Sequence, residues 1–257
     1  DAVLLAQANV VFVNGLNLEP RSVQLAEANV RPGVEIIELG RRTISPDEYI
    51  FDFSFPQDTG DPNPHLWTNP RYVKRYAEII AEELAAIDPA GAAEYRVNAR
   101  VFGDRIDALD AALRRATATI PPERRLLLTY HDSFPYFARD YGWTVIGAIQ
   151  PSDFSEPSPR EVADLIRQIQ GTGVSAIFGS EVFPSPVLEQ IAREAGVEYI
   201  PDLRDDDLPG DPGDGDHSLL ALLLFDFRTI VGALGGDPAH FDGVPTENVC
   251  DAAEYRS

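Results

Sequence analysis

The sequence predicts an α/β protein of two lobes, each a parallel sheet flanked by helices, joined by one long connecting helix. Three observations lead there. In the C-terminal half, short leucine-rich or β-branched runs alternate with helical periods, the pattern of a parallel sheet under covering helices. The longest periodic segment, Ala90 to about Thr119, keeps Tyr95, Val97, Val101, Phe102, Ile106, Leu109 and Leu113 at helical spacing. A helix of about 28 residues spans roughly 40 Å, enough to run between two lobes. Finally, 257 residues suffice for one large domain or two modest lobes with cores of their own. The expected division is residues 1–89 for an N-terminal lobe, 90–120 for the connecting helix and 121–257 for a C-terminal lobe.

Taken in order, "NVVFVNG" from Asn9 is a β-branched strand running into a turn, and "VEIIEL" from Val34 is a second strand. Residues 41–64, rich in Pro, Asp and Ser, read as irregular loop. Pro70 opens a helix with Tyr72, Val73, Tyr76, Ile79, Ile80 and Leu84 on one face, interrupted at Pro89. Pro121-Pro122 end the long helix. Strand "RLLLTY", a helix closed by Gly142 and strand "TVIGAI" follow. Ser158-Pro159-Arg160-Glu161 has the serine, proline and glutamate of a capping box, and that helix runs to about Gln170. Strand "VSAIFG" precedes a helix opened by Ser185-Pro186 and stopped by Gly196. Strand "VEYIPDL", the acidic loop "RDDDLPGDPGDGD" and a helix from Ser218 to about Leu234 complete the pattern. The tail from Gly235 shows no period.

Composition narrows the function. A net charge of −21 repels phosphate backbones, which argues against nucleic-acid binding, while favouring cations or simply a solvated acidic surface. No apolar run approaches the roughly 18 residues of a membrane span. The single cysteine, Cys250, can form no intrachain disulfide and reads as an incidental thiol in the tail. The chain has no methionine and no signal-like start, so a processed or partial chain is expected.

Four histidines are present: His65, His131, His217 and His240. His65, in "DPNPHLWTNP", sits in a loop that flanking prolines hold extended. His131 ends the strand "LLLTY", at the edge where open α/β sheets bind ligands. Glu181 and the run Asp205, Asp206, Asp207 follow later strands, so a parallel sheet brings them to that same edge. Two neutral imidazoles and a carboxylate suit a borderline cation such as Zn²⁺. Glu181 otherwise reads as a helix-start carboxylate. The acidic loop has a rival reading as a calcium loop, Asp205-x-Asp207-x-Pro209-Gly210 and then Asp216, but Pro209 stands where a ligand belongs. There is no nucleophile elbow, no phosphate-loop lysine and no dinucleotide fingerprint.

The segments "ANVVFVNGLNLE", "DPNPHLWTNP", "IPPERR", "LLLTYHDSFPYFARDYG" and "GDHSLLALLLFDFRTIVGAL" together resemble the metal-binding solute receptors of bacterial ABC importers, the zinc/manganese cluster A-I or ZnuA/TroA-like family. The resemblance runs across about residues 1–234. It implies a bilobed, monomeric, extracytoplasmic receptor, periplasmic or lipid-anchored, that captures a divalent metal between its lobes and delivers it to a membrane permease. By position in the family's motifs, the metal ligands are His65, His131 and Asp206, with Asp205 the next choice for the aspartate. A histidine at position 131 favours Zn²⁺, with Mn²⁺ the alternative cargo. Two departures stand out. The motif before His65 carries a two-residue insertion, which shifts the ring unless the following register compensates. A further histidine ligand of the family would fall upstream of Asp1, so a truncated chain is expected. A zinc-dependent hydrolase using the same ligands, with Glu181 as base, is the reading from a different class.

Overall fold

A computed structural model describes residues 1–52, 54–149, 158–182 and 184–247. Within them the chain forms two compact units, residues 1–67 with 71–103, and residues 68–70 with those from 104 on.

The first unit contains α1 (Ala2–Leu5), β1 (Val10–Val13), α2 (Pro20–Asn29), β2 (Glu35–Glu38), α3 (Leu39–Thr43), nearly all of α4 (Pro70–Ile87) and the start of α5 (Ala92–Ala118). β1 and β2 pair in parallel, from Val10 opposite Glu35 to Val13 opposite Glu38. Ile37, Leu39 and Ile79 form the small core, with Val10, Phe12, Tyr76 and Ile80 packed around it. α2 was not expected from the sequence; only Ala26 of its ten residues is buried, so it presents no apolar stripe to read. Residues 41–64, expected as loop, hold the end of α3 and two 3₁₀ turns, Pro46–Glu48 and Gln57–Thr59. The turn after β1 is strained, with Leu16 and Asn17 at φ of 53° and 62°. Carboxylates hold it: Glu19 accepts the Asn14 and Gly15 N–H groups, and Glu38 accepts that of Leu16.

The second unit holds the remainder of α5, then β3 (Leu126–Thr129), α6 (Pro135–Tyr141), β4 (Thr144–Ala148), α7 (Pro159–Thr172), β5 (Ala176–Ser180), α8 (Pro186–Ala195), β6 (Glu198–Leu203) and α9 (Leu219–Ala233). The four strands are parallel in the order β4-β3-β5-β6. Strand order therefore reverses between β3 and β5, the place where α/β sheets leave a crevice at their carboxyl edge. Leu128, Ile169, Ile177, Leu188 and Ile191 fill a core under α7 and α8, while Phe137 of α6 stacks on Phe227 of α9 at 5.2 Å. The helix starts follow the sequence: Ser158 makes the full capping box, and Ser185 and Ser218 accept N–H bonds at their helix N-termini. Between Phe178–Ile200 and Ser180–Leu203 the pairing advances by one extra residue in β6. Pro201, with no N–H to give the ladder, lies in this bulge. In the tail, Pro238–Phe241 forms a 3₁₀ turn; Cys250 lies outside the described residues.

Candidate metal centre

His131 directly follows β3, and the chain turns sharply after it. Its carbonyl accepts the Thr129 hydroxyl at 2.7 Å and the Ser133 N–H at 3.1 Å. The ring is 7% exposed, and its Nδ1 lies 2.9 Å from Asp205 Oδ2. Asp205, just beyond β6 and 3% exposed, also accepts the Ser133 hydroxyl on Oδ2 at 2.8 Å and the Ser180 hydroxyl on Oδ1 at 3.5 Å. A carboxylate beside Nδ1 fixes the tautomer that carries its proton there, so Nε2 is the nitrogen that offers a lone pair. Among the described residues, His131, Asp205 and Asp206 are the one group of three metal-capable side chains, with ligand atoms all within 4.8 Å.

The two aspartates differ. Asp205 is buried and committed to His131, Ser133 and Ser180, whereas Asp206 is exposed. Burial opposes charging the His131 ring, but the hydrogen bond and charge of Asp205, with Asp206 and Asp132 adding, outweigh it and hold its pKa above the ordinary imidazole value. The Asp206 carboxyl is pushed up by desolvation first and then by the Asp205 charge. Unfavourable crowding of carboxylates around a histidine is what an incoming cation relieves.

Glu181 is not a helix-start carboxylate. α8 begins at Pro186 under its Ser185 cap, and Glu181 Oε1 instead accepts the Asp207 N–H at 3.4 Å. Its carboxyl is raised chiefly by burial. In the acidic loop, Asp205 faces His131, and Asp214 accepts the Asp211 N–H at 2.9 Å.

In the first unit, His65 is 5% exposed. Asn63 Oδ1 lies 2.8 Å from its Nδ1 and accepts its backbone N–H at 3.0 Å. The Asn63 Nδ2 donates to Asp52 Oδ2 at 3.0 Å, which leaves Oδ1 as the acceptor and His65 Nδ1 as the donor. Asp52 is itself held by the N–H groups of Ser54 and Phe55. Phe55 meets the ring edge-on and Trp67 packs at 4.9 Å. Asn63, two residues ahead of His65 in the same motif, thus supplies the ring's hydrogen-bond partner. Neither Asn63 nor Ser133 was picked out from the sequence, although both lie inside quoted motifs.

Residues 1–233 match the family model described as zinc-uptake complex component A, periplasmic. The iron-binding protein YfeA of Yersinia pestis is 29% identical over 213 residues, 83% of this chain and 66% of its own length. The zinc-binding protein TroA of Treponema pallidum is 28% identical over 91% of this chain and 75% of its own. The manganese-binding lipoprotein MntA of Halalkalibacterium halodurans is 24% identical over 91% and 74%. The chain thus spans about two thirds to three quarters of the length of these curated relatives. Among solved structures, periplasmic TroA superposes with a TM-score of 0.78 at 27% identity, covering 91% of this chain and 83% of that one. A periplasmic metal-binding protein from Candidatus Liberibacter asiaticus gives 0.76 at 26% identity, covering 91% and 83%. With its sheet edge carrying a histidine and paired aspartates, the chain belongs to the ZnuA-type family of extracytoplasmic metal-binding proteins.

Proposed function

We propose that this protein is the solute receptor of an ABC importer for a divalent transition metal, with Zn²⁺ as the cargo it binds best. One observation carries the reading: a buried histidine whose Nδ1 is tied to Asp205 at 2.9 Å, beside a second, uncommitted aspartate. This is the carboxylate–histidine arrangement that raises the basicity of a metal-ligating imidazole. The proposed ligands are His131 Nε2 and the Asp206 carboxylate, together with His65 Nε2, whose Nδ1 is occupied by Asn63. Asp205 orients rather than ligates. Imidazole nitrogen with carboxylate oxygen suits zinc better than an all-oxygen set would, and manganese and iron, the metals named for two of the relatives, are the competitors. The receptor acts outside the cytoplasm as a monomer and hands its ion to a permease, with no catalytic turnover.

The test is a competition titration on chelator-stripped protein against a chromophoric chelator, with Zn²⁺, Mn²⁺, Fe²⁺ and Ca²⁺ in turn. One equivalent of tight Zn²⁺, abolished by His131→Ala and unaffected by excess Ca²⁺, is the expected result. Tight binding that survives His131→Ala would remove this site from the proposal. Assays on esters and phosphoesters with the zinc-loaded protein are expected to match buffer, and turnover that needs Glu181 would favour a hydrolase instead.

A further inference from the structure

Behind the aspartate turn lies a carboxyl that the ligand set does not use. Asp226, in the middle of α9, is fully buried. Its helix is otherwise almost wholly apolar inward, with Leu222, Leu223, Phe227 and Ile230 buried beside it. Packing alone would favour another apolar residue there, because burying a carboxyl costs free energy unless it is bonded. Asp226 Oδ1 accepts the Arg204 N–H at 2.8 Å, and Oδ2 has no hydrogen-bond partner among the described residues. At the other end of the same turn, the Asp207 N–H reaches Glu181 at 3.4 Å. The two N–H groups that bracket Asp205 and Asp206 are therefore both held by side chains from elsewhere in the fold.

We infer that Asp226 is a positioning residue for the metal centre: through the Arg204 N–H it fixes the turn that presents Asp205 to His131 and Asp206 to the cargo. The inference rests on the metal-receptor reading above. Burial, reinforced by the charges of Asp205 and Glu181, holds the Asp226 carboxyl well above the usual carboxylate range against the pull of the Arg204 N–H. The Arg204 N–H needs an acceptor oxygen at this position, which a side-chain amide of the same shape also supplies. Asparagine therefore preserves the contact, while leucine, branched and apolar, removes the acceptor and strands a buried N–H.

The experiment compares Zn²⁺ affinity of wild type, Asp226→Asn and Asp226→Leu by chelator competition, with far-UV circular dichroism of the metal-free proteins. Expected are an affinity within about 3-fold of wild type for Asp226→Asn and a loss of about 10–100-fold for a folded Asp226→Leu, the range for removing a group that orients ligands. Wild-type affinity in folded Asp226→Leu would overturn the inference and leave the receptor reading standing. Equal losses in both variants would also overturn it, since the acceptor is then not what matters. A wild type that binds no metal fells the reading and the inference together. If Asp226→Leu does not fold, hydrogen exchange of the Arg204 amide in wild type decides: protection supports the anchor, and exchange at the rate of a free loop amide overturns it.

Discussion

Two buried histidines, His65 and His131, are secured at the same ring atom by different means. His65 Nδ1 is held by Asn63, two residues away on a proline-flanked loop, and the partner is a neutral amide. His131 Nδ1 is held by Asp205, which arrives from the far end of another strand and carries charge. The first arrangement is local and stiff, so its geometry needs little from the rest of the fold. The second exists only when β3, β5 and β6 are assembled, and it makes the ring more basic. Placement of a histidine can thus be built into a short peptide, whereas tuning of its charge here requires the sheet.

Removing either ring tests the comparison most severely. His131→Ala and His65→Ala are each expected to lower Zn²⁺ affinity by at least about 100-fold, the scale of losing a ligand rather than its support, as read by chelator competition. Next come the supports. Asp205→Asn is expected to cost about 10–100-fold and Asn63→Ala less than about 10-fold, because a charged partner contributes more than a neutral one. Equal losses would erase the distinction drawn between the two histidines.

The charge difference also predicts a pH signature confined to His131. Its raised folded-state pKa means that the stabilising pair with Asp205 is fully present below about pH 6.5 and lost as pH rises through the folded value. The raised carboxyls of Asp206 and Asp226 act in the same direction, since the folded state holds their protons more tightly. The metal-free protein is therefore expected to lose Tm as pH rises above about 6.5, while Zn²⁺ affinity rises as the ring deprotonates. Asp205→Asn should flatten the thermal trend in scanning calorimetry. The smallest effect is expected from Pro64→Gly, which loosens the loop by about 0.4–1 kcal/mol, or about 2–5-fold in affinity; an unchanged affinity would mean that Asn63 alone secures the ring.

Much of the fold was legible because local signals agreed with the global pattern. Ser158, Ser185 and Ser218 start helices where their hydroxyls said they would, and Gly142 and Gly196 stop them in the left-handed conformation. α2 was not legible because it buries only Ala26 and so shows no apolar stripe. His131 could be placed by its position after a strand, but the division of labour between Asp205 and Asp206 could not. That division depends on Ser133 and Ser180 converging from two other strand ends, which neighbouring residues in a sequence do not reveal. Asp226 was hidden for the opposite reason, as a buried carboxyl in a largely apolar helix whose partner is a backbone N–H.

The additional residue at Pro201 gives β6 a phase. Side chains alternate faces along a strand, so one inserted residue inverts everything after it unless a bulge absorbs it. Ile200 and Leu203, three residues apart in β6, pair with Phe178 and Ser180, two apart in β5, so the bulge lets both face the same side. Deleting the extra residue at 201–202 would therefore leave Leu203 opposite Ser180, whereas a second insertion there would turn Leu203 outward and carry Asp205 away from His131.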